Sequence, residues 1–367
     1  MRSEIGIKST ALQVPTSMDS TGSAPNRYSE TNVQVSGIDE PDIVKNDGKE
    51  IYYSNQNWGS PSVGIEPMPI KIMAGSGGII APESMPYYQQ GEVKLIKGFP
   101  ADALKLDGKI DKYGELLLSK NILAVFSGNK VYGYDVSDKT KPTQKWTVEL
   151  GERNSLIGSR LYNGKIYLAT REYTYQPGPC PLVPMTVNGT KLEIRCTDIY
   201  YPPVVVPADS VYHVVAIDVN TGDVKDKTSF IGSSSESVLY MSNNSIYLTY
   251  FYPGDTIKYS YNFFLENKDL VPSWLIEKMQ KLQSYDISES AKMAEYQNLL
   301  NKWQSALSED ERLKVQNELT NKMSDYSAAH LRELEQTGIV KIGLDGLKVL
   351  GNGNVQGRLL NQFSMDE

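Results

Sequence analysis

Four carboxylates crowd one short stretch of this 367-residue chain: Asp39, Glu40, Asp42 and Asp47. Hard oxygen donors so close in sequence suit Ca2+, which takes roughly six to eight oxygen ligands. The stretch does not follow the spacing of an EF-hand loop, and Asp47-Gly48 is in itself a good turn. The same side chains would equally cap strand ends or tie neighbouring elements together by hydrogen bonds. Ca2+ is the one metal or cofactor the sequence puts forward. Paired carboxylates also hydrolyse glycosidic bonds, but that chemistry needs two groups at a set separation across a cleft, which spacing along a chain does not supply.

The other reactive side chains are few. The two cysteines, Cys180 and Cys196, sit in one Pro- and Tyr-rich segment, and the sequon Asn188-Gly189-Thr190 lies between them. A second sequon is Asn243-Asn244-Ser245. Two cysteines confined to one loop with a glycosylation signal inside it predict a disulfide in an oxidising, extracellular setting. Closing a loop of that size stabilises by about 3 kcal/mol on the chain-entropy account. Two unrelated thiols are the alternative, and zinc is disfavoured because it wants about four clustered ligands. Of the two histidines, His213 falls in an alternating strand pattern and His330 near a helix end. A Ser-His-Asp or Cys-His nucleophile would have to use one of them, and no G-x-S-x-G elbow accompanies either. Gly75-Ser76-Gly77-Gly78 and Gly351-Asn352-Gly353 have neither the Lys-Ser/Thr of a phosphate loop nor dinucleotide spacing.

The elements that would position these residues are strands. Four segments repeat a polar turn followed by an apolar or alternating strand: 48–54, 121–126, 163–169 and 244–249, three of them carrying Ile-Tyr at the same place. Asn and Gly supply positive-φ turn positions, and β-branched and aromatic residues suit a pleated, half-buried surface. With the long loops 58–92 and 171–207 set aside, the repeat length is about 40 residues, the size of a four-stranded propeller blade. Companion strands at 128–136 and 211–219 each end in an Asp-containing turn that leads to a further strand. A generic β-sandwich is the competing architecture.

A helical block interrupts this pattern at 266–335. Met293, Tyr296, Leu300, Trp303 and Leu307 form a 3-4-3-4 stripe, and Ser308-Glu309-Asp310-Glu311 opens the next helix with a capping box. A shorter helix around Trp274 precedes them. Two or three helices hiding their stripes on each other predict a helical hairpin on the rim. It would be either a purely structural insertion or a platform for a partner, with Trp274, Tyr296 and Trp303 as contact residues.

The run Thr31–Gly48, TNVQVSGIDEPDIVKNDG, and the tail Gly357–Glu367 containing LLNQFSMDE resemble the two hallmarks of the β-propeller domain family of secreted archaeal and bacterial proteins, distantly related to WD40 repeats. The helical block running into Thr337-Gly338-Ile339-Val340-Lys341-Ile342 is similar to the family pattern as well. The resemblance covers roughly residues 28–367. It implies a mostly β chain of four-stranded antiparallel blades with a helical insertion, standing as the N-terminal part of a longer propeller whose ring is incomplete here. It brings with it no catalytic or ligand residue. The implied organisation is a flexible segment at 1–30, blades over 31–265, the helical insertion at 266–335, and further propeller strands over 336–367.

Composition narrows the function classes. A net charge of −7 argues against a phosphate-binding surface and hence against nucleic acid. No run approaches the ~18 apolar residues of a spanning helix, and residues 1–30 show no signal-peptide core. The expected role is an extracellular or cell-surface scaffold that binds a protein or a surface glycan. The alternative is a glycan-active enzyme with carboxylates in the propeller channel. An open last blade also predicts self-association through its exposed edge.

Overall fold

The computed structural model describes residues 33–57, 90–174, 180–201 and 208–367. The N-terminal segment 1–30, most of the 58–92 loop and Gly75–Gly78 lie outside the described residues. Blade 1 is the antiparallel meander β1 (Val44–Asn46), β2 (Glu50–Asn57), β3 (Gln90–Lys97) and β4 (Lys105–Ile110). Blade 2 follows with β5 (Glu115–Ser119), β6 (Ile122–Ser127), β7 (Lys130–Asp135) and β8 (Thr143–Leu150). Blade 3 starts with β9 (Asn154–Tyr162) and β10 (Lys165–Tyr173). It is then interrupted by β11 (Leu182–Val187), β12 (Thr190–Ile194) and β13 (Ile199–Tyr200), and is completed by β14 (Ser210–Asp218) and β15 (Val224–Gly232). Blade 4 has β16 (Ser235–Met241) and β17 (Ser245–Pro253). Four helices follow, α1 (Thr256–Glu266), α2 (Ser273–Gln283), α3 (Glu289–Ser305) and α4 (Glu309–His330), before β18 (Glu335–Gly343) and β19 (Val349–Gln356).

The four repeated segments are the second strands of the four blades, β2, β6, β10 and β17. Asn163 and Gly164 both take positive φ, 49° and 72°, and turn β9 into β10 at the Tyr162–Lys165 pair. That two-residue turn matches the twist of the flanking strands.

Each inner blade buries both faces, which is why β6 is apolar without a break. Leu116, Leu123 and Val125 pack on Tyr52, Val93 and Leu95 of blade 1, while Leu117, Ala124 and Phe126 face blade 3. Between blades 2 and 3, Trp146 donates its indole N–H to the Val219 carbonyl at 2.9 Å. Gly133 makes room for that ring, since a Cβ there would lie 1.9 Å from Trp146 Cε2. Blades 3 and 4 meet through Tyr167, Tyr212, Val214 and Phe230 against Ile246, Leu248 and Val340, with Tyr212 stacked on Phe230 at 5.0 Å. The first strands of the blades neighbour one another, β1 against β5 and β9 against β16, and so mark the side of the axis.

The four blades do not close a ring among the described residues. The face of blade 1 turned away from blade 2 carries Ile51, Ile96 and Leu106 in one cross-strand row, and Leu106 is 45% exposed.

Two segments differ from expectation. The 171–207 stretch holds a hairpin and a short strand as well as loop. The helical insertion has four helices and begins at Thr256, because Asp255 caps its first turn by accepting from Lys258 N at 2.8 Å. The Ser308–Glu311 capping box is present.

Candidate functional site

The segment after Val33 crosses the blades along the axis. Asp42 forms an antiparallel bridge with Leu116 of β5, and Asp39 one with Leu161 of β9. Ile38, 1% exposed, drops into the core between blades 3 and 4. The segment therefore stitches the first strands of blades 2 and 3 before entering β1, and its start lies against the chain's C-terminal tail.

The two sequence hallmarks meet there. Gln34 Nε2 donates to the carbonyls of Gln362 (2.8 Å) and Met365 (2.9 Å). Gln362 Nε2 donates to Glu40 Oε2 at 3.0 Å, and its Oε1 accepts from Arg160 Nη2 at 2.7 Å. Arg160, 5% exposed, also reaches Glu40 Oε1 at 3.5 Å and donates to the carbonyls of Ser159 and Leu239. Burial pulls the Arg160 guanidinium below its ordinary value, with Glu40 opposing. One guanidinium thus ties blade 3, blade 4 and both hallmark segments together.

The other hallmark carboxylates are engaged separately. Asp39 pairs with Lys45 at 2.6 Å; burial still raises its pKa, outweighing the lysine. Asp42 accepts from Ile43 N at 2.6 Å. Asp47 accepts from the N–H groups of Lys49 and Glu50, the Tyr52 hydroxyl and Lys139. Burial alone would raise the Asp47 pKa, but the two N–H groups and Lys139 lower it overall. The four carboxylates anticipated for Ca2+ do not share one point, and no group of three or more metal-ligating side chains converges among the described residues. They act as braces.

His213 has the partners of a catalytic constellation without its access. Its Nδ1 lies 2.8 Å from Ser229 Oγ, and its Nε2 3.7 Å from Glu172 Oε2. Strands β15, β14 and β10 place these residues side by side, yet Ser229, His213 and Glu172 are only 1%, 0% and 4% exposed. A substrate cannot reach a serine sealed between blades. His213 holds the Glu172 carboxyl below its ordinary value; burial opposes this, while Asn154 and Arg153 assist. His330 ends α4, stacks on Tyr326 at 4.2 Å and contacts Glu333.

The cysteine insertion clasps two blades. Cys180 and Cys196 face each other at disulfide distance, Cα–Cα 5.7 Å, at the base of the β11–β12 hairpin. That hairpin extends the outer edge of blade 2 by pairing with β8, while β13 runs parallel to β15 on blade 3. Asn188, exposed at the hairpin turn, accepts from Thr147 N of blade 2 at 3.0 Å and donates to the Thr221 carbonyl of blade 3 at 3.4 Å. Asn243 is exposed in the β16–β17 turn. Tyr173 and Tyr201, which flank the insertion, are also exposed.

The helical insertion has a core of its own. Phe264 meets Trp303 edge-on at 6.2 Å, and Tyr259 and Phe263 meet Tyr326 edge-on at 5.0 and 5.4 Å. Trp303, 5% exposed, therefore serves that core and is not a surface contact residue. Tyr296 is half-buried, with a hydroxyl bond to Ser260 that lowers its pKa less than burial raises it. Trp274 is half-buried beneath Lys302, whose Nζ lies 5.9 Å from the ring centre. The insertion leaves and rejoins blade 4 at adjacent backbone: Pro253 pairs with Glu335, and Gly254 N donates to Leu334 O at 2.9 Å. Between it and the blade opens a cleft of about 980 Å3, lined by the ends of β17, β18 and β19, the first two turns of α1 and the start of α3.

Distance in sequence hid most of this. Arg160 carries no motif, and its partners lie far along the chain in both directions. Glu172 had no signal beyond a charged residue in an apolar strand.

Residues 28–367 match the family model described as Beta propeller domain. An uncharacterized protein of Archaeoglobus fulgidus is 43% identical over 355 residues, covering 96% of this chain and 53% of its own length. An uncharacterized protein of Methanocaldococcus jannaschii is 32% identical over 371 residues, covering 99% of this chain and 51% of its own length. The chain spans about half the length of the curated relatives it matches. No helix among the described residues is long and apolar enough to cross a membrane.

Proposed function

The chain belongs to the beta propeller domain family, and from that premise we propose that it is an extracellular or cell-surface scaffold that binds a ligand on its rim. The observation that carries this reading is the helical insertion, a separately cored unit set on a rigid blade with a large cleft at its root. Function concentrates where loops and insertions stand on a rigid framework. The axis supports binding over channel chemistry, because Asp39 and Glu40 are already held by Lys45, Arg160 and Gln362. The paired cysteines and the exposed sequon asparagines support an oxidising, extracellular location.

The test is retention of material from the solubilised envelope of the source organism. It compares the immobilised chain with one in which Asp255–Glu333 is replaced by Asn-Gly. Retention by the full chain alone supports the rim site; equal retention by both sinks it. The uncovered apolar row on blade 1 supports association with further propeller blades or a second copy. Size exclusion with light scattering should show dimers or larger species, and a strict monomer at tens of micromolar would refute association.

A further inference from the structure

We infer that the cleft between blade 4 and the helical insertion is a binding site for a neutral oligosaccharide; this rests on the rim-binding reading above and names its ligand class. The chemistry of the walls points to this ligand class. Four primary amides converge on the cleft: Asn262 from α1, Gln336 from β18, and Asn354 and Gln356 from β19. A primary amide both donates and accepts, which is what a vicinal diol requires of its partner. The Gln336 and Asn354 amides bond to each other at 3.2 Å and leave further donors and acceptors free. The side chains of Asn262 and Gln356 have no hydrogen-bond partner among the described residues.

Charge excludes the main competitors. Asp255, Glu289 and Glu333 line the cleft against the single cation Lys258. A phosphate, nucleotide or sulfated sugar would meet net negative charge there. A lipid or flat apolar cofactor would strand the four amides without partners, a cost for each group. Tyr252, Pro253 and Met293 add apolar surface for the C–H faces of a sugar ring. The volume of about 980 Å3 is at the large end for small-molecule sites and leaves room for several linked rings.

The experiment is saturation-transfer NMR followed by calorimetry on the full chain with maltotetraose, cellotetraose, mannotetraose and chitotetraose, and with a heparin tetrasaccharide as the anionic control. At least one neutral tetrasaccharide should bind. The double variant Asn262→Ala/Gln356→Ala should bind it about tenfold or more weakly, from the loss of two amide contacts. Both side chains are free of internal partners, so the variant should melt with the parent, which keeps lost binding distinct from lost folding. Failure of all four neutral sugars, undiminished binding by the double variant, or preferred binding of the heparin fragment overturns the inference. If the sugars fail while envelope retention still depends on Asp255–Glu333, the ligand class falls and the rim-binding reading stands.

Discussion

Replacing Arg160 by methionine isolates the contribution of the axial clasp. Methionine keeps most of the length and apolar stem but removes the contact to Glu40 and the bonds to Gln362, Leu239 and Ser159. Removing one partner of a buried ion pair costs about 3–5 kcal/mol, because the remaining charge stays desolvated. Here Glu40 keeps the amides of Gln362 and Gln34, at 3.0 and 3.3 Å, so the lower end applies, about 3 kcal/mol. At about 1.3 °C per kcal/mol for a chain of this length the melting temperature should fall by about 4 °C. Glu40→Gln added to Arg160→Met should recover about 1 kcal/mol or more, since the orphaned charge is gone. Thermal and urea unfolding followed by circular dichroism measure both. An Arg160→Met protein that melts within a degree of the parent would refute the idea that the two hallmark segments are locked through this residue.

Three further outcomes follow from the same geometry. Gly133→Ala drives a Cβ into the Trp146 ring and should cost about 1–3 kcal/mol by overpacking, read as a lower urea midpoint; no change would mean the ring has slack. Glu172 is ionised below its ordinary value of 4.5, so its stabilisation is fully present above pH 4.5 and is lost as the pH falls through the lower folded value. The Glu172→Gln protein should therefore show a flatter stability profile below pH 4.5, whereas parallel profiles would remove Glu172 from the acid response. Replacing Asp255–Glu333 by Asn-Gly should leave the blades folded, because Gly254 and Leu334 are already bonded across a gap that a two-residue turn closes. Loss of the cooperative transition would show that the insertion is part of the propeller core.

What the sequence disclosed was local. The Asn-Gly turn at 163–164 and the apolar runs of β6 and β17 carry their period within one strand, so they placed the second strand of every blade. The Ser308 capping box is equally local. Helix α1 is hidden in the sequence because Ile257, Tyr259, Tyr261 and Phe263 alternate like a strand, while the Asp255 cap and the Phe264 contacts hold the chain as a helix. The β11–β12 hairpin leaves no strand signal of its own because the strand it needs, β8, belongs to another blade. The same physics hid the site. Carboxylates close in sequence suggest a shared ion, but they take separate partners: Asp39 the nearby Lys45, Glu40 the distant Arg160 and Gln362, Asp42 the next N–H and Asp47 the distant Lys139. The cleft joins Asn262 to Gln356 across the whole insertion, which no spacing rule reaches.

On the proposed reading the axis braces the fold and the rim binds the ligand. The most direct test of that reading is one experiment with two readouts, melting temperature and envelope retention, on Arg160→Met and on the chain with Asp255–Glu333 excised. Arg160→Met should melt about 4 °C lower yet retain envelope material at temperatures where it is folded, while the excised chain should keep its melting transition and retain none. Loss of retention in a folded Arg160→Met protein, with full retention by the excised chain, would place the function at the axis and contradict the account.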